Sequence, residues 1–560
     1  MHNKRQIFIG AAWPYANGSL HLGHASALIG SDILARYFRL RGDDVLFVSG
    51  SDCHGTPIAF EADRQGVSPA EIAEKYHKEF TETLIDGLGF SYDIFTKTTT
   101  ENHYEFVQEI FFDLYKKGFI YSKETELPYC EKCNKFLPDR YIEGECPHCH
   151  FSSARGDQCD ECGNLIDPKQ LIEPKCKICS SAPIWKNSEH FYLKLSVFQK
   201  KILEWIKNSE GWRKNAKNFS IHFVSEGLQD RAITRDISWG VPIPLPGYEK
   251  NKSIYVWFEA VCGYVSACKE ISKKTGKIDL WKEFWQNKNA IHYYVHGKDN
   301  IPFHTIIWPS ILFAHGNLHL PDRIISSEYL TLQNKQFSKS RHWAVWLPDF
   351  VKNYDPDTLR YYLIVNGPET SDSDFSWEEY QKKTNTELIG HFGNLVNRVF
   401  SFTNKNFPEG LIFPEELDKD EASFLRVAEE TFEKVGQVIE AGKFHEGLNL
   451  IFKLVEQSNR YLNDTSPWTA IKTDRKKAER SLAITGHIIK CLSILINPYL
   501  PKTSQKISLD IGFELKEWSY PKPSILVVHN FSGPLYKKIE DSQIEQEKQK
   551  LPQVSNPWSL

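Results

Sequence analysis

An α/β protein built on one parallel sheet, split by a long insertion and followed by a helical bundle, is what three features of the sequence predict. Short continuous apolar runs alternate with amphipathic stretches in the N-terminal part. A stretch rich in cysteine, proline and charge interrupts that alternation. From about Asn385 onward the apolar spacing becomes helical. At 560 residues the chain is long enough for three or four domains. Its 41% hydrophobic and 13% aromatic content exclude a disordered or low-complexity chain. A formal charge of -4 excludes a global basic field, although a locally basic groove suffices to hold RNA.

Residues 5–13 are continuous and apolar, as in a buried parallel strand, and stop at Pro14. A turn then leads into a helix expected over residues 25–40. Residues 44–50 form a second apolar strand, ending in the polar loop 51–57. Ser68, followed by Pro69 and Glu71, reads as the N-cap and capping box of a helix reaching about Gly87. The alternation lapses between about Pro128 and Ile184, and the insertion continues to about Pro246 with mixed segments such as 219–225. Strand-like runs resume at 254–258 and 291–295. Further on, Phe424, Val427, Ala428, Phe432, Val435 and Ile439 share one helical stripe, and Leu482, Ile488, Leu492 and Leu495 share another. A bundle of roughly 130 residues is expected, then a charged tail from about Pro534.

Eight of the 12 cysteines form four C-x-x-C pairs: Cys130/Cys133, Cys146/Cys149, Cys159/Cys162 and Cys176/Cys179. No apolar run reaches the roughly 18 residues of a membrane span, and no apolar leader segment opens the chain. A cytoplasmic protein without a membrane partner is expected, and in a reducing compartment such pairs read as metal ligands. Two tetrahedral zinc sites, each built from four cysteines, would use all eight thiolates and leave no open coordination position, so their role would be structural. Spacing leaves two pairings open, sequential or nested. His148 and His150 are not needed to complete either set.

Two strings carry chemistry. His21-Leu-Gly-His24 lies at the end of the first strand, where open α/β sheets place ligands; Gly23 leaves room for a flat base, and the imidazoles can donate to phosphate beside free helix N–H groups. More than 300 residues later, Lys335-Gln-Phe-Ser-Lys-Ser-Arg341 sets basic and hydroxyl side chains on one short loop, suited to a triphosphate.

His21-Leu-Gly-His24 and Phe337-Ser-Lys-Ser340 resemble the two signatures of class I aminoacyl-tRNA synthetases. With the preceding Ala12-Trp-Pro-Tyr-Ala-Asn-Gly-Ser19, and with Leu137-Pro-Asp-Arg-Tyr141, the segment 227–236, Tyr255-Val-Trp-Phe258 and the segment 297–309, nearly the whole chain is similar to the methionyl-tRNA synthetases. That resemblance implies a Rossmann-type catalytic domain (1–117 and 247–325), a connective insertion with two zinc knuckles (118–246), a linking domain carrying the second signature (326–384), a helical anticodon-binding domain (385–530) and a tail (531–560). It implies ATP, accompanied by Mg2+, with His21, Gly23, His24, Ser338, Lys339 and Ser340 at the nucleotide and Asp299 at the ribose. For L-methionine it implies Asp52 at the ammonium, Arg235 pairing near Asp52, and an aromatic site of Trp13, Tyr15, Trp257, Tyr264 and His304, whose rings suit a thioether. It favours nested zinc pairing. It also implies tRNA(Met), initiator and elongator, with Asn394, Arg398, Pro467 and Trp468 reading unstacked anticodon bases.

The chain departs from the family pattern in places. Gln336 stands where the loop usually begins with lysine, and Lys335, one residue earlier, is expected to compensate in part. Trp13 replaces a smaller leucine; Glu259 and Val261-Cys262 replace Asp and Pro-Ile. These changes are expected to reshape packing rather than change substrate, since such pockets discriminate by only about 1–3 kcal/mol per methylene. Leucine-, isoleucine- or valine-specific relatives would carry a larger editing insertion, and a cysteine-specific one a metal thiolate where Ala11-Ala-Trp13 stands. A non-catalytic RNA-binding relative would not retain His21, His24, Asp52, Lys339 and Ser340. Too few residues follow 541 for the dimerising oligonucleotide-binding domain of many relatives, so a monomer is expected.

Overall fold

The first apolar run forms the middle strand, Gln6–Ala11, of a five-stranded sheet. The structure is a computed structural model that describes residues 4–156, 159, 161–162, 166–248, 252–339 and 342–552. Asp44–Ser51 and then Ile94–Lys97 lie on one side of the first strand; Ile291–Gly297 and then Arg323–Ser327 lie on the other, all parallel. Strand order therefore reverses between Gln6–Ala11 and Ile291–Gly297, and the crevice at their carboxyl ends is where such sheets take ligands. Both faces of the sheet are covered, so Ile7, Phe8 and Ile9 are all fully buried and the run shows no polar alternation.

The next helix covers Leu22–Leu40, starting earlier than the expected Ala25 because His21 is its N-cap. The His21 side chain accepts from the helix while the His24 side chain accepts the His21 N–H, a reciprocal box usually built from Ser or Thr and Glu. Ser68 and Glu71 form the expected box, with Pro69 opening the helix Pro69–Thr81 and a π-helical turn, Glu82–Gly87, continuing it. One mixed segment proves helical, and one expected strand does not form. Residues 219–225 end a helix, Lys214–Ser225, which buries Ala216, Ser220 and Val224 four apart. Of the expected strand 254–258 only Ile254 is extended, as the second residue of the short strand Ser253–Ile254. Its partner is Thr234–Arg235 rather than the central sheet, and the amides of Phe258 and Glu259 turn back onto the Tyr255 carbonyl to form the helical turn Val256–Glu259. β-Branched and aromatic content suggested a strand, and the missing neighbour overrode it.

In the insertion, Ile120–Cys130 pairs antiparallel with Ile184–Leu193, and a smaller sheet joins Ile142–Glu145, Ala154–Arg155 and Ile172–Cys176, so that Cys130 ends a strand of the first sheet and Cys176 a strand of the second. Tyr141 donates to Asp63 (3.0 Å) and Lys135 pairs with it (3.1 Å), fastening the insertion to the catalytic body. The bundle contains Asn394–Asn406, Lys419–Glu440, Phe444–Thr465 and Arg475–Ile496. Ala428, Phe432, Val435 and Ile439 are buried as the stripe predicts, while Leu425 takes the inward place at the helix start and Phe424 and Val427 are half-buried. The helix Leu22–Leu40 joins the two halves of the molecule. Its Asp32 is fully buried between Arg36 (2.8 Å) and Arg360 (2.7 Å), and Arg360 also donates to the carbonyls of Pro498 and Tyr499. The C-terminal helix Asp541–Gln549 packs back on the linking helices, with Ile544 buried and Gln381 donating to Asp541 (2.8 Å).

Candidate active site

The two signatures meet at the crevice. Nδ1 of His21 accepts the Gly23 N–H (3.2 Å), and Nδ1 of His24 accepts the His21 N–H (3.1 Å). A ring nitrogen that accepts carries no proton, so each neutral imidazole keeps its proton on Nε2. Burial, helped by the Lys339 charge, pushes the His21 pKa down to about 3; burial, His21 and Lys339 hold that of His24 well below its usual value. Two neutral rings thus present Nε2–H donors at the N-terminus of a 19-residue helix, a place suited to an anion. Phe337 stacks on His21, with centroids 4.6 Å apart and planes 8° apart, and a Cβ at Gly23 would crowd the His21 ring at 3.1 Å.

Lys339 crosses from its loop to the Ala-Asn-Gly-Ser turn, where Nζ donates to the Gly18 carbonyl (2.9 Å) and the Asn17 side-chain oxygen (3.4 Å). A side chain at Gly18 would meet the Lys339 stem at 3.1 Å, so glycine there makes the approach possible. Burial pushes the Lys339 pKa down to about 8. Ser338 exchanges both backbone hydrogen bonds with Trp343 (3.0 Å each), which closes the loop. Ser340 lies outside the described residues. Lys335 and Gln336 are exposed on a short strand paired with Thr331 and Leu332, and the Lys335 ammonium sits 5.2 Å over the Trp343 ring.

Beside the crevice lie a buried acid and several aromatic side chains. Asp52 is 4% exposed, and its Oδ1 has no partner among the described residues. Burial and the neighbouring Glu259 push its pKa up. A buried carboxylate with an open oxygen is a seat for a cation. Asp52 and Tyr15 pair through their backbones as an isolated bridge. Trp13 lies between Gly50 and Gly263, where a Cβ would come within 2.6 Å and 2.9 Å of its ring. The two glycines accommodate the larger residue. Nδ1 of His304 donates to the Asn300 carbonyl (2.8 Å), so its Nε2 accepts the Tyr264 hydroxyl (2.7 Å). Trp257 is 38% exposed at the rim against Tyr255 and Phe303. Arg235 places its guanidinium 3.6 Å over the Tyr255 ring and donates to the Thr234 carbonyl (3.0 Å).

Glu259, expected to matter only for packing, is fully buried and bridges two imidazoles: Oε1 accepts from His54 Nδ1 (3.0 Å) and Oε2 from His103 Nε2 (2.6 Å). His54 Nε2 in turn shares a hydrogen bond with the Tyr104 hydroxyl (2.9 Å). Burial works to raise the Glu259 pKa, and His54 and His103 outweigh it, leaving an anion behind Asp52. Nothing in the spacing of residues 54, 103 and 259 signals this trio. Asp299 follows the strand Ile291–Gly297 on the turn Lys298–Asn300, is exposed, and accepts the Tyr329 hydroxyl.

The cysteines form two groups: Cys130, Cys133, Cys176 and Cys179; and Cys146, Cys149, Cys159 and Cys162, each with all sulfurs within 4.8 Å of one another. The grouping is nested, as the resemblance favoured. Arg140, between the two groups in sequence, lies within electrostatic reach of both Lys339 and Tyr15.

A family model described as tRNA synthetases class I (M) matches residues 7–400, and one described as the anticodon binding domain of methionyl tRNA ligase matches residues 415–555. Methionine–tRNA ligases of Bacillus cereus and Bacillus anthracis are each 47% identical to the chain over 97% of its length and 99% of theirs. The chain belongs to the methionyl-tRNA synthetase family. The solved Mycobacterium tuberculosis methionyl-tRNA synthetase bound by methionyl-adenylate shares the fold, with a TM-score of 0.79 at 24% identity, covering 95% of this chain and 100% of that one.

A methionyl-tRNA synthetase must also read RNA, and the residues expected to do so lie together on the bundle. Arg398 places its guanidinium 4.4 Å over the Trp468 ring and donates to Asn463 (3.0 Å). Pro467 is buried and opens a short helical turn; Ser466, with φ 43°, reverses the chain before it. Trp468 is half-buried, and Asn394 is exposed one helical turn before Arg398.

Proposed function

We propose that the chain activates L-methionine with ATP and transfers it to tRNA(Met), initiator and elongator. Family membership and the meeting of the two signatures in one crevice carry this reading. In the first step the methionine carboxylate attacks the α-phosphorus; a new P–O bond forms, the bond to pyrophosphate breaks, and methionyl-adenylate results. His21 and His24, neutral and aimed by their Nδ1 hydrogen bonds, donate through Nε2–H to the oxygens gaining charge. Lys339 exchanges its Gly18 and Asn17 acceptors for the departing phosphates, with Ser338 and Ser340 beside it. Mg2+ accompanies the triphosphate. Asp52 takes the methionine ammonium, which returns its carboxyl to the ionised form; Trp13, Tyr15, Tyr264, His304 and Trp257 enclose the side chain, and Arg235 steadies that wall through Tyr255. In the second step a terminal hydroxyl of tRNA attacks the acyl carbonyl and AMP leaves. Neither step requires a covalent enzyme nucleophile; positioning and electrostatics supply the catalysis.

Each cysteine group offers four sulfurs at mutual distances that suit a tetrahedral ion, and two structural zinc ions per chain are the fit. Zinc would hold the insertion in its fold and leave the chemistry to the crevice. No helix among the described residues is long and apolar enough to cross a membrane. We place the enzyme in the cytoplasm as a monomer; sedimentation as a tight dimer would contradict the latter. Methionine-dependent pyrophosphate exchange followed by charging of tRNA tests the whole reading. A clear preference for another amino acid would replace methionine, and neither activity with a folded protein would leave an RNA-binding relative.

A further inference from the structure

We propose that Tyr329 is a positioning residue for ATP: its hydroxyl fixes the Asp299 carboxylate so that one oxygen is presented to a ribose hydroxyl. The proposal rests on the reading of Asp299 as the ribose ligand.

Asp299 is exposed on a three-residue turn, where a carboxylate on its own would sample several rotamers. Among the described residues its only hydrogen-bond partner is the Tyr329 hydroxyl, which donates to Oδ1 and leaves Oδ2 to accept from a ligand. The pairing follows from sheet register. Gly297 and Ser327 are partners at the ends of two parallel strands, so the residues that leave those strands, 298 with 328 and 299 with 329, run on side by side. Lys298 pairs with Glu328 (2.8 Å) in the same way.

Tyr329 is itself held at two points. Its N–H donates to Asp372 Oδ1 (2.8 Å), the Lys298 ammonium lies 3.8 Å over its ring, and that ammonium is fixed in turn by Glu328 and by Asp372 (2.7 Å). A cation over the ring and two carboxylates on the cation leave the phenol little freedom. Tyr329 also immediately precedes the strand Leu330–Leu332, which pairs with Lys335–Gln336 at the root of the phosphate loop. One residue thus joins the ribose contact to the segment that carries Lys339.

The test uses the full chain, methionine-dependent pyrophosphate exchange, and ATP against 2′-deoxy-ATP and 3′-deoxy-ATP. The wild-type enzyme should show a KM for one deoxy analogue higher than for ATP by roughly tenfold or more, the range of a hydrogen bond to a charged group. Tyr329→Phe keeps the ring beneath Lys298 and the backbone bond to Asp372. It should raise the KM for ATP by roughly tenfold while the KM for that analogue, the KM for methionine and kcat stay near wild type, so that discrimination between the two nucleotides collapses. An unchanged KM for ATP with full discrimination would overturn the proposal. So would an equal rise in KM for every nucleotide, or a uniform fall in kcat, because either would mark a packing role. No discrimination by the wild-type enzyme against either analogue would instead remove the ribose role of Asp299, and the proposal with it.

Discussion

The crevice and the cysteine insertion are both assembled from side chains that must converge on one point, and they are held in opposite ways. His21 and Lys339 are more than 300 residues apart, and a five-stranded sheet, stacked rings and part-buried hydrogen bonds bring them together. Cys146 and Cys162 are 16 residues apart, and the insertion around them has a small core of its own in which several of the buried members are the cysteines themselves. In the crevice, burial sets protonation: it keeps two imidazoles neutral and brings the lysine to about 8. In the insertion, four thiolates without a cation would repel one another, so an ion bound there would be part of the fold. The crevice should therefore respond to charge and leave metal content alone, and the insertion should do the reverse.

The largest effect expected is at Lys339. Lys339→Ala should lower pyrophosphate exchange roughly 100-fold or more, comparable to the loss of a preorganised oxyanion donor, with zinc content unchanged; exchange near the wild-type rate would sink the assignment. Next is Trp468→Ala on the bundle, outside both regions. It should lower tRNA charging about 10- to 100-fold, as stacking on one base is worth, while exchange persists; equal loss of both would mean a folding role. A smaller and steeper test concerns pH. The cationic form of Lys339 is present below a pKa of about 8 and lost above it, so kcat/KM for ATP should fall as pH rises through that value, about tenfold per unit beyond it. Lys339→Arg should move the limb to higher pH, and a profile unaltered by that change would break the link. Cys149→Ser should halve the zinc found by elemental analysis, from about two ions per chain to about one, with only a modest change in exchange; a wild-type value near one would remove a site. Smallest is Lys335→Ala, expected to cost only a few-fold in exchange since its ammonium rests over Trp343 on the exposed hairpin. No effect at all would mean that Lys335 does not compensate for Gln336.

The insertion was the more legible region, because its ligands lie close in sequence and C-x-x-C spacing states their chemistry. Even there spacing left the pairing open, and the nested grouping depends on how Ile142–Glu145 and Ile172–Cys176 come together. In the crevice, sequence marked His21, His24 and Lys339 as chemical groups. It could not show that both imidazoles present Nε2–H, because that follows from acceptors at Nδ1, nor that Phe337 stacks on His21. Residues 254–258 have strand composition and form a turn, since composition does not reveal whether a sheet edge is available.

By itself the sequence determined the kind of protein: parallel strands from unbroken apolar runs, a bundle from helical stripes, an insertion with two candidate metal sites from paired cysteines, and a family from ordered motifs. Local spacing, periodicity and side-chain chemistry are sufficient for those, as each is a property of a few neighbouring residues. Only the tertiary structure decided what the groups do to one another. It placed Glu259 between His54 and His103, left an oxygen of Asp52 open beside them, set Trp13 against Gly50 and Gly263, and brought Tyr329 to Asp299. Protonation and orientation depend on distance and burial, and for residues hundreds of positions apart those quantities exist only once the chain has folded.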